Sequence, residues 1–338
     1  MCCLCGLSQN GIILMPHRGM SEIMPRDKYR RSRRLRLVPK QHIKYEGLRP
    51  VTITRYRRQI NCFFEYLSDN DLDLPVDFDD LDETVGEFIN HLYQDDYPIN
   101  YGNDLLSGLK RFFPKCRRHL ETSSTYMRSW NKTVGRRRAL PLPSELLIAM
   151  AMLALLRNKK RTALALLVGF SALLRTGEVL GLCKSTMAVH GKGTLLSISL
   201  PDSKSGHRRG ELEQVLVHDP LIIKLAENVL EDMAQNDNLL DMSYREFART
   251  ITELAACFGC TDPTLTPYCL RRGGATWHFT KYQCYDTTQE LGRWTSAKTA
   301  KQYINQATSE IAGVHLPKWG KERISRCNNH LTPFILSL

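Results

Sequence analysis

The sequence predicts a mainly α protein with a small antiparallel β-sheet or hairpin, built as two domains. Three observations predict it. Apolar residues recur at helical spacing from about residue 50 onward. A Gly- and Pro-punctuated, arginine-rich stretch at 135–143 interrupts them. Strand-like alternation is confined to one region, near 194–217. With 338 residues and 42% apolar content, the chain is long enough and greasy enough to bury two cores.

Residues 1–45 lack periodicity and read as a basic arm. Its stretch 26–40 holds eight Lys/Arg, including Arg30, Arg31, Arg33 and Arg34, and suits a nuclear import signal or a DNA-contacting arm. The first domain, 46–134, opens with a helix at 52–67 that aligns Ile53, Tyr56, Ile60, Phe63, Phe64 and Leu67 on one face. Val85, Phe88, Ile89 and Leu92 mark a second helix at 81–93, and 103–113 and 122–134 are two more. In the linker, 135–143, Gly135 precedes Arg136, Arg137 and Arg138, and Pro141 and Pro143 stiffen the exit. The second domain, 144–316, begins with two apolar helices at 144–157 and 162–174 and a short one at 177–183. Thr194-Leu195-Leu196-Ser197-Ile198-Ser199-Leu200 and Glu213-Gln214-Val215-Leu216-Val217 then form a hairpin, or two strands of a three-stranded sheet. Helices follow at 220–235, 243–258, 267–281, 287–292 and 296–306, and 317–338 is a C-terminal tail.

Charge narrows the partner. The net charge is +12 and the pI about 9.2, which suits a polyanion: nucleic acid first, an anionic membrane surface second. Residues 26–58 carry thirteen Lys/Arg against two acids, 69–104 carry twelve acids and no Lys or Arg, and 110–138 carry ten Lys/Arg against one acid. Arg55, Arg57, Arg58, Lys110, Arg111, Arg136, Arg137 and Arg138 are therefore the candidates for contact with double-stranded DNA. The apolar runs at 146–156 and 163–174 are too short to span a bilayer, so no membrane partner is expected. The chain is expected to be soluble and intracellular, nuclear in a eukaryote and cytoplasmic otherwise. Eleven cysteines without disulfide-like rhythm fit a reducing compartment. Neither Cys2-x-x-Cys5 nor the group Cys257, Cys260, Cys269 and His278 has the second paired motif of a zinc site, and no metal or other cofactor is expected.

One ordered set of residues carries chemistry. Cleaving a phosphodiester without hydrolysis requires an in-line nucleophile, fixed cations for the pentavalent charge, and a proton for the leaving oxygen. An arginine fork grips two phosphate oxygens and stays charged, and a lysine near other cations gives up its proton readily. Arg175 closes the apolar helix 162–174. Lys204 sits at the hairpin tip, 29 residues on; Tyr268 and Arg271 share one helix face; Trp294 follows 23 residues after Arg271; and Tyr303 comes nine residues after Trp294. Tyr282 and Tyr285 are rival nucleophiles by residue type, but lie close behind Arg271.

These strings, Leu174-Arg175-Thr176-Gly177-Glu178, Leu270-Arg271-Arg272-Gly273-Gly274-Ala275-Thr276 and Leu291-Gly292-Arg293-Trp294, with Lys204 and Tyr303, resemble the tyrosine recombinase (phage integrase) family. The resemblance covers roughly 143–306, is weaker for a core-binding domain before it, and is nearest to recombinases of eukaryotic mobile elements. It implies the tyrosine recombinase catalytic fold and a two-domain clamp on duplex DNA, working as a homo-tetramer. It implies that Tyr303 forms a 3′-phosphotyrosyl bond, Arg175 and Arg271 hold the non-bridging oxygens, Lys204 protonates the 5′ oxygen, and Trp294 donates to the phosphate. Glu178 would brace them, without ATP or metal, and Arg293 is read as a second supporting residue from its place beside Trp294. It also implies that the tail beyond 306, with Ile311, Val314, Leu316 and Trp319, docks on a neighbouring protomer. Two positions depart from the family pattern: Tyr268 stands where most members carry His, and Arg293 intervenes between Gly292 and Trp294. The alternatives are a recombinase-derived DNA-binding protein without catalysis, and a type IB topoisomerase-like relaxing enzyme.

Overall fold

Proline lacks an N–H that a first helical turn could not use anyway, and Pro50 opens helix α1, Pro50–Asp69, in the computed structural model of this chain. The structure describes residues 48–134, 139–191, 193–201, 212–304 and 316–338. Ile53, Ile60, Phe63 and Leu67 of α1 are buried against α2 (Phe78–Gln94), α3 (Asn100–Phe112) and α4 (Glu121–Thr133). These four helices stand where the apolar periodicity predicts them. A short 3-10 turn, Pro114–Arg118, precedes α4. No side chain at Leu120 caps α4; the buried Asp82 of α2 does so, accepting from the N–H groups of Thr122 (2.7 Å) and Ser123 (2.8 Å) and from the Ser123 hydroxyl (2.6 Å). Burial would raise this carboxyl, but those donors outweigh it and hold it below the ordinary range.

The chain divides into two units, Met1–Arg136 and Arg137–Leu338. The second is built on α5 (Ser144–Leu156) and α6 (Lys160–Ser171), which are buried on nearly every side, as helices apolar all round must be. After α7 (Thr176–Leu180) come three antiparallel strands in the order β1-β2-β3: Met187–His190, Leu195–Leu200 and Glu213–Val217. The register sets Leu196 opposite Val217, Ile198 opposite Val215 and Leu200 opposite Glu213. The inward residues Leu196, Ile198, Leu200, Val215 and Val217 join the core under α8 (Pro220–Glu231). The remaining helices among the described residues are α9 (Tyr244–Ala256), α10 (Tyr268–Tyr282), α11 (Tyr285–Gly292), α12 (Ala297–Tyr303) and α13 (Lys318–Leu336).

Two expectations are corrected. The helix expected to run through 174 stops at Ser171, with Leu173 at φ +48, so Arg175 does not end it but caps the start of α7. Residues 317–338 are not a free tail. Ile324, Leu331 and Ile335 of α13 repeat at helical spacing and are buried in the core of their own unit, against α5. Leu316 is buried there too, Trp319 is exposed, and Ile311 and Val314 lie outside the described residues. Of the four residues expected on a neighbouring protomer, Leu316 is thus covered within its own unit and Trp319 is not.

The pair Gly273-Gly274 explains how α10 approaches so closely. A Cβ on Gly273 would sit 2.2 Å from the Leu142 carbonyl oxygen, and one on Gly274 would sit 2.1 Å from that of Phe170 in α6. Backbone atoms cannot step aside as a side chain can. Gly274→Ala is therefore expected to destabilise the second unit by about 3 kcal/mol, lowering its thermal midpoint by roughly 6–12 °C. An unchanged melting curve would mean that α10 does not rest on α6 in this way.

Candidate active site

The site is assembled where α6, α10, α11 and α12 meet. Leu173, Ala275, Trp294 and Ala300 form a small core of their own, with Leu291, Tyr303 and Ile304 packed on it. This core fixes the C-terminal helices, and with them the Tyr303 phenol, beside the first turn of α10.

Arg271 occupies that first turn and is completely buried. Its Nη1 donates to the carbonyl of Leu173, and its Nη2 donates to that of Gly292 at 2.5 Å. Both carbonyls belong to helix C-terminal turns, so two orphan acceptors steer one guanidinium. The Arg271 Cζ lies 4.7 Å from the Trp294 ring centre and 5.4 Å from that of Tyr303, in cation–π range. The rings of Trp294 and Tyr303 are 4.5 Å apart. Burial, followed by the like charges of Arg175 and Arg293, brings the Arg271 guanidinium down to about 10. It therefore stays charged at neutral pH.

Tyr268, one turn before Arg271, makes a hydroxyl–hydroxyl hydrogen bond with Tyr303, with ring centres 5.7 Å apart. The two phenols are driven apart electrically. Burial and the Tyr303 hydroxyl push Tyr268 well above the ordinary phenol range. Burial would raise Tyr303 as well, but the Tyr268 hydroxyl and the Arg271 charge outweigh it and leave Tyr303 below its ordinary value. Of the two phenols, Tyr303 is therefore the readier to ionise.

Arg175 stands at the N-cap of α7, where its backbone N–H donates to Glu178 Oε2 (2.8 Å) and its Nη1 to Glu178 Oε1 (2.6 Å). Arg293 Nη2 reaches the same carboxylate at 2.7 Å. The Arg271 Nε and the Trp294 Nε1 are buried, and both side chains act on the Tyr303 hydroxyl, helping to hold it below its ordinary value. The structure therefore groups Tyr268, Arg271, Trp294 and Tyr303 directly and joins Arg175, Glu178 and Arg293 to them through one ion-paired cluster. Lys204, with the rest of 202–211, lies outside the described residues. Tyr282 and Tyr285 stand elsewhere, on His278 and Phe279 respectively.

The predicted DNA contacts are less uniform. Arg55 holds Asp104 through both Nε (2.9 Å) and Nη2 (2.6 Å), and Lys110 donates to Ser124 (3.0 Å). Arg58 is exposed, its Cζ 5.7 Å from the Tyr101 ring centre, whereas Arg57 and Arg111 are half-buried. Arg136, Arg137 and Arg138 lie outside the described residues. Sequence reasoning passed over Lys115, Arg117 and Arg118, which the 3-10 turn presents as an exposed basic cluster; the turn-forming Pro114 was the available signal.

No protein-family model matches the chain, and no curated protein matches it in sequence. Solved structures do match. The site-specific recombinase XerH, in a post-cleavage complex with a palindromic difH substrate, aligns with a TM-score of 0.54 at 14% identity, over 78% of this chain and 80% of that one. The Tn1549 transposon integrase, in complex with transposon right-end DNA, aligns with a TM-score of 0.55 at 11% identity, over 79% and 93%. A lambda integrase dimer bound to a COC′ core site aligns with a TM-score of 0.52 at 14% identity, over 77% and 73%. At these identities the likeness is one of architecture: a mainly helical chain with a three-stranded antiparallel sheet, carrying the tyrosine recombinase catalytic fold.

Proposed function

We propose that this protein cleaves and rejoins DNA, in site-specific recombination or integration, through a 3′-phosphotyrosyl intermediate on Tyr303. The observation that carries this reading is the grouping of Tyr303, Tyr268, Arg271 and Trp294 around one point, from two helices and a turn. In the reaction, Tyr303 Oη attacks the phosphorus as its proton departs, and the P–O5′ bond breaks. One phosphodiester replaces another, so bond energy is conserved and rejoining is the reverse attack by the 5′ hydroxyl. Arg175 and Arg271 neutralise the non-bridging oxygens, and the buried donors at Arg271 Nε and Trp294 Nε1 add to that field. Lys204 supplies the proton to the 5′ oxygen. Double-stranded DNA is the partner. Exchange between two duplexes needs four cleavages, which a homo-tetramer provides.

The test is a duplex nicked so that the cleaved fragment diffuses away. The full chain is expected to accumulate a denaturant-resistant protein–DNA adduct, with the modified peptide mapping to Tyr303. Tight DNA binding with no adduct under any condition would support the alternative, a DNA-binding protein that has kept the fold without the chemistry.

A further inference from the structure

Arg293 occupies a position that its own backbone does not favour. Helix α11 ends in a double C-terminal turn, with Arg293 N–H on the Glu290 carbonyl (2.9 Å) and Trp294 N–H on that of Gln289 (3.1 Å). That turn holds Arg293 at φ +55, the left-handed conformation for which glycine is the usual occupant. The long side chain there is nevertheless almost wholly buried, only 8% exposed. Its Nη2 donates to Glu178 Oε2 (2.7 Å) and to the Leu173 carbonyl (3.4 Å), and its Nε lies 3.9 Å from Glu213 Oε2. Glu213 is the first residue of β3, so Arg293 ties the base of the hairpin to the arginine site.

One carboxylate is thereby divided between two guanidinium groups. Glu178 Oε1 takes Arg175 Nη1, while Oε2 takes Arg293 Nη2 and the Arg175 backbone N–H. An isolated arginine–carboxylate pair prefers the two-pronged arrangement, with both oxygens on one fork. We infer that Arg293 is a positioning residue for Arg175: by occupying Oε2 it holds Arg175 to a single prong, which leaves the rest of the Arg175 fork for a phosphoryl group. Without Arg293, Glu178 closes on Arg175 with both oxygens and quenches it as an anion clamp. This inference rests on the cleavage reading only for its consequence in catalysis; the anion clamp is a property of the protein alone.

The experiment compares the full-length wild type with Arg293→Gly, which suits the turn, and with Arg293→Lys, which keeps a cation on Oε2. Two quantities are read: the single-turnover rate of adduct formation on the nicked duplex, and the rise in melting temperature that orthovanadate causes in DNA-free protein. Arg293→Gly is expected to slow adduct formation about tenfold to a hundredfold, as loss of an orienting partner does at other sites. It is also expected to abolish the orthovanadate shift, with duplex affinity unchanged within about twofold. Arg293→Lys is expected to recover most of both. Wild-type behaviour of Arg293→Gly in the orthovanadate measurement, or a Lys variant as impaired as the Gly variant, would overturn the inference. If the wild type forms no adduct while its orthovanadate shift is lost in Arg293→Gly and kept in Arg293→Lys, the cleavage reading fails and the positioning role stands.

Discussion

Tyr303→Phe is expected to lower covalent adduct formation by more than about 10⁴-fold, because the variant lacks the oxygen proposed to bond to phosphorus. Duplex affinity should change by less than about twofold, since one phenol is a small part of a binding energy spread over many phosphate contacts. The companion variant Tyr268→Phe separates two roles for the neighbouring phenol. The hydrogen bond between the two hydroxyls favours the ionised form of Tyr303. Removing that hydrogen bond raises the Tyr303 phenol. The fraction ionised at neutral pH therefore falls, and the rising limb of the pH–rate profile moves to more alkaline pH. At high pH the variant should approach the wild-type rate. Single-turnover adduct formation measured across about pH 6 to pH 10 checks this. A loss that is equal at every pH would place the Tyr268 hydroxyl on the scissile phosphate instead.

The same pair shows how far the sequence reaches. Spacing alone brought Tyr268 and Arg271 to one helix face, because one turn of helix is a local property. Whether Tyr268 faces phosphate or phenol is decided by how α12 packs on α10, through Ala275, Trp294 and Ala300, and nothing local encodes that. The long helices were legible for the reason that their apolar faces repeat every turn. Strand β1, only four residues with mixed burial, is too short to show its alternation. Helix α13 was hidden by Pro333 and by the wide spacing of Ile324, Leu331 and Ile335. The place of Arg175 could have been read: Glu178 three residues on is the mark of a helix start, and it outranks the apolar run that precedes it. The left-handed turns at Leu173 and Arg293 could not, since neither residue advertises a positive φ.

Replacing Arg271 with methionine should separate catalysis from stability more sharply than any other change in the site. Held near 10 instead of its ordinary 12.5 by burial and by two neighbouring cations, the guanidinium is disfavoured by roughly 3 kcal/mol relative to one in water. Against this stand its two hydrogen bonds, to Leu173 O and Gly292 O, each of about 1.5–3 kcal/mol for a charged donor. Methionine matches the length, avoids the electrostatic cost and abandons the two carbonyls, so the terms nearly offset. The unfolding free energy is expected to change by less than about 2 kcal/mol. Adduct formation, by contrast, should fall by about 10³-fold or more, because a fixed fork aimed at developing charge has no apolar substitute. Chemical denaturation and single-turnover cleavage on the same preparation test both halves. Should stability collapse together with cleavage, Arg271 would be a buried strut for two helix ends. If stability holds while cleavage is lost, the fold carries a buried cation that adds nothing to its stability, for the sake of the phosphate it grips.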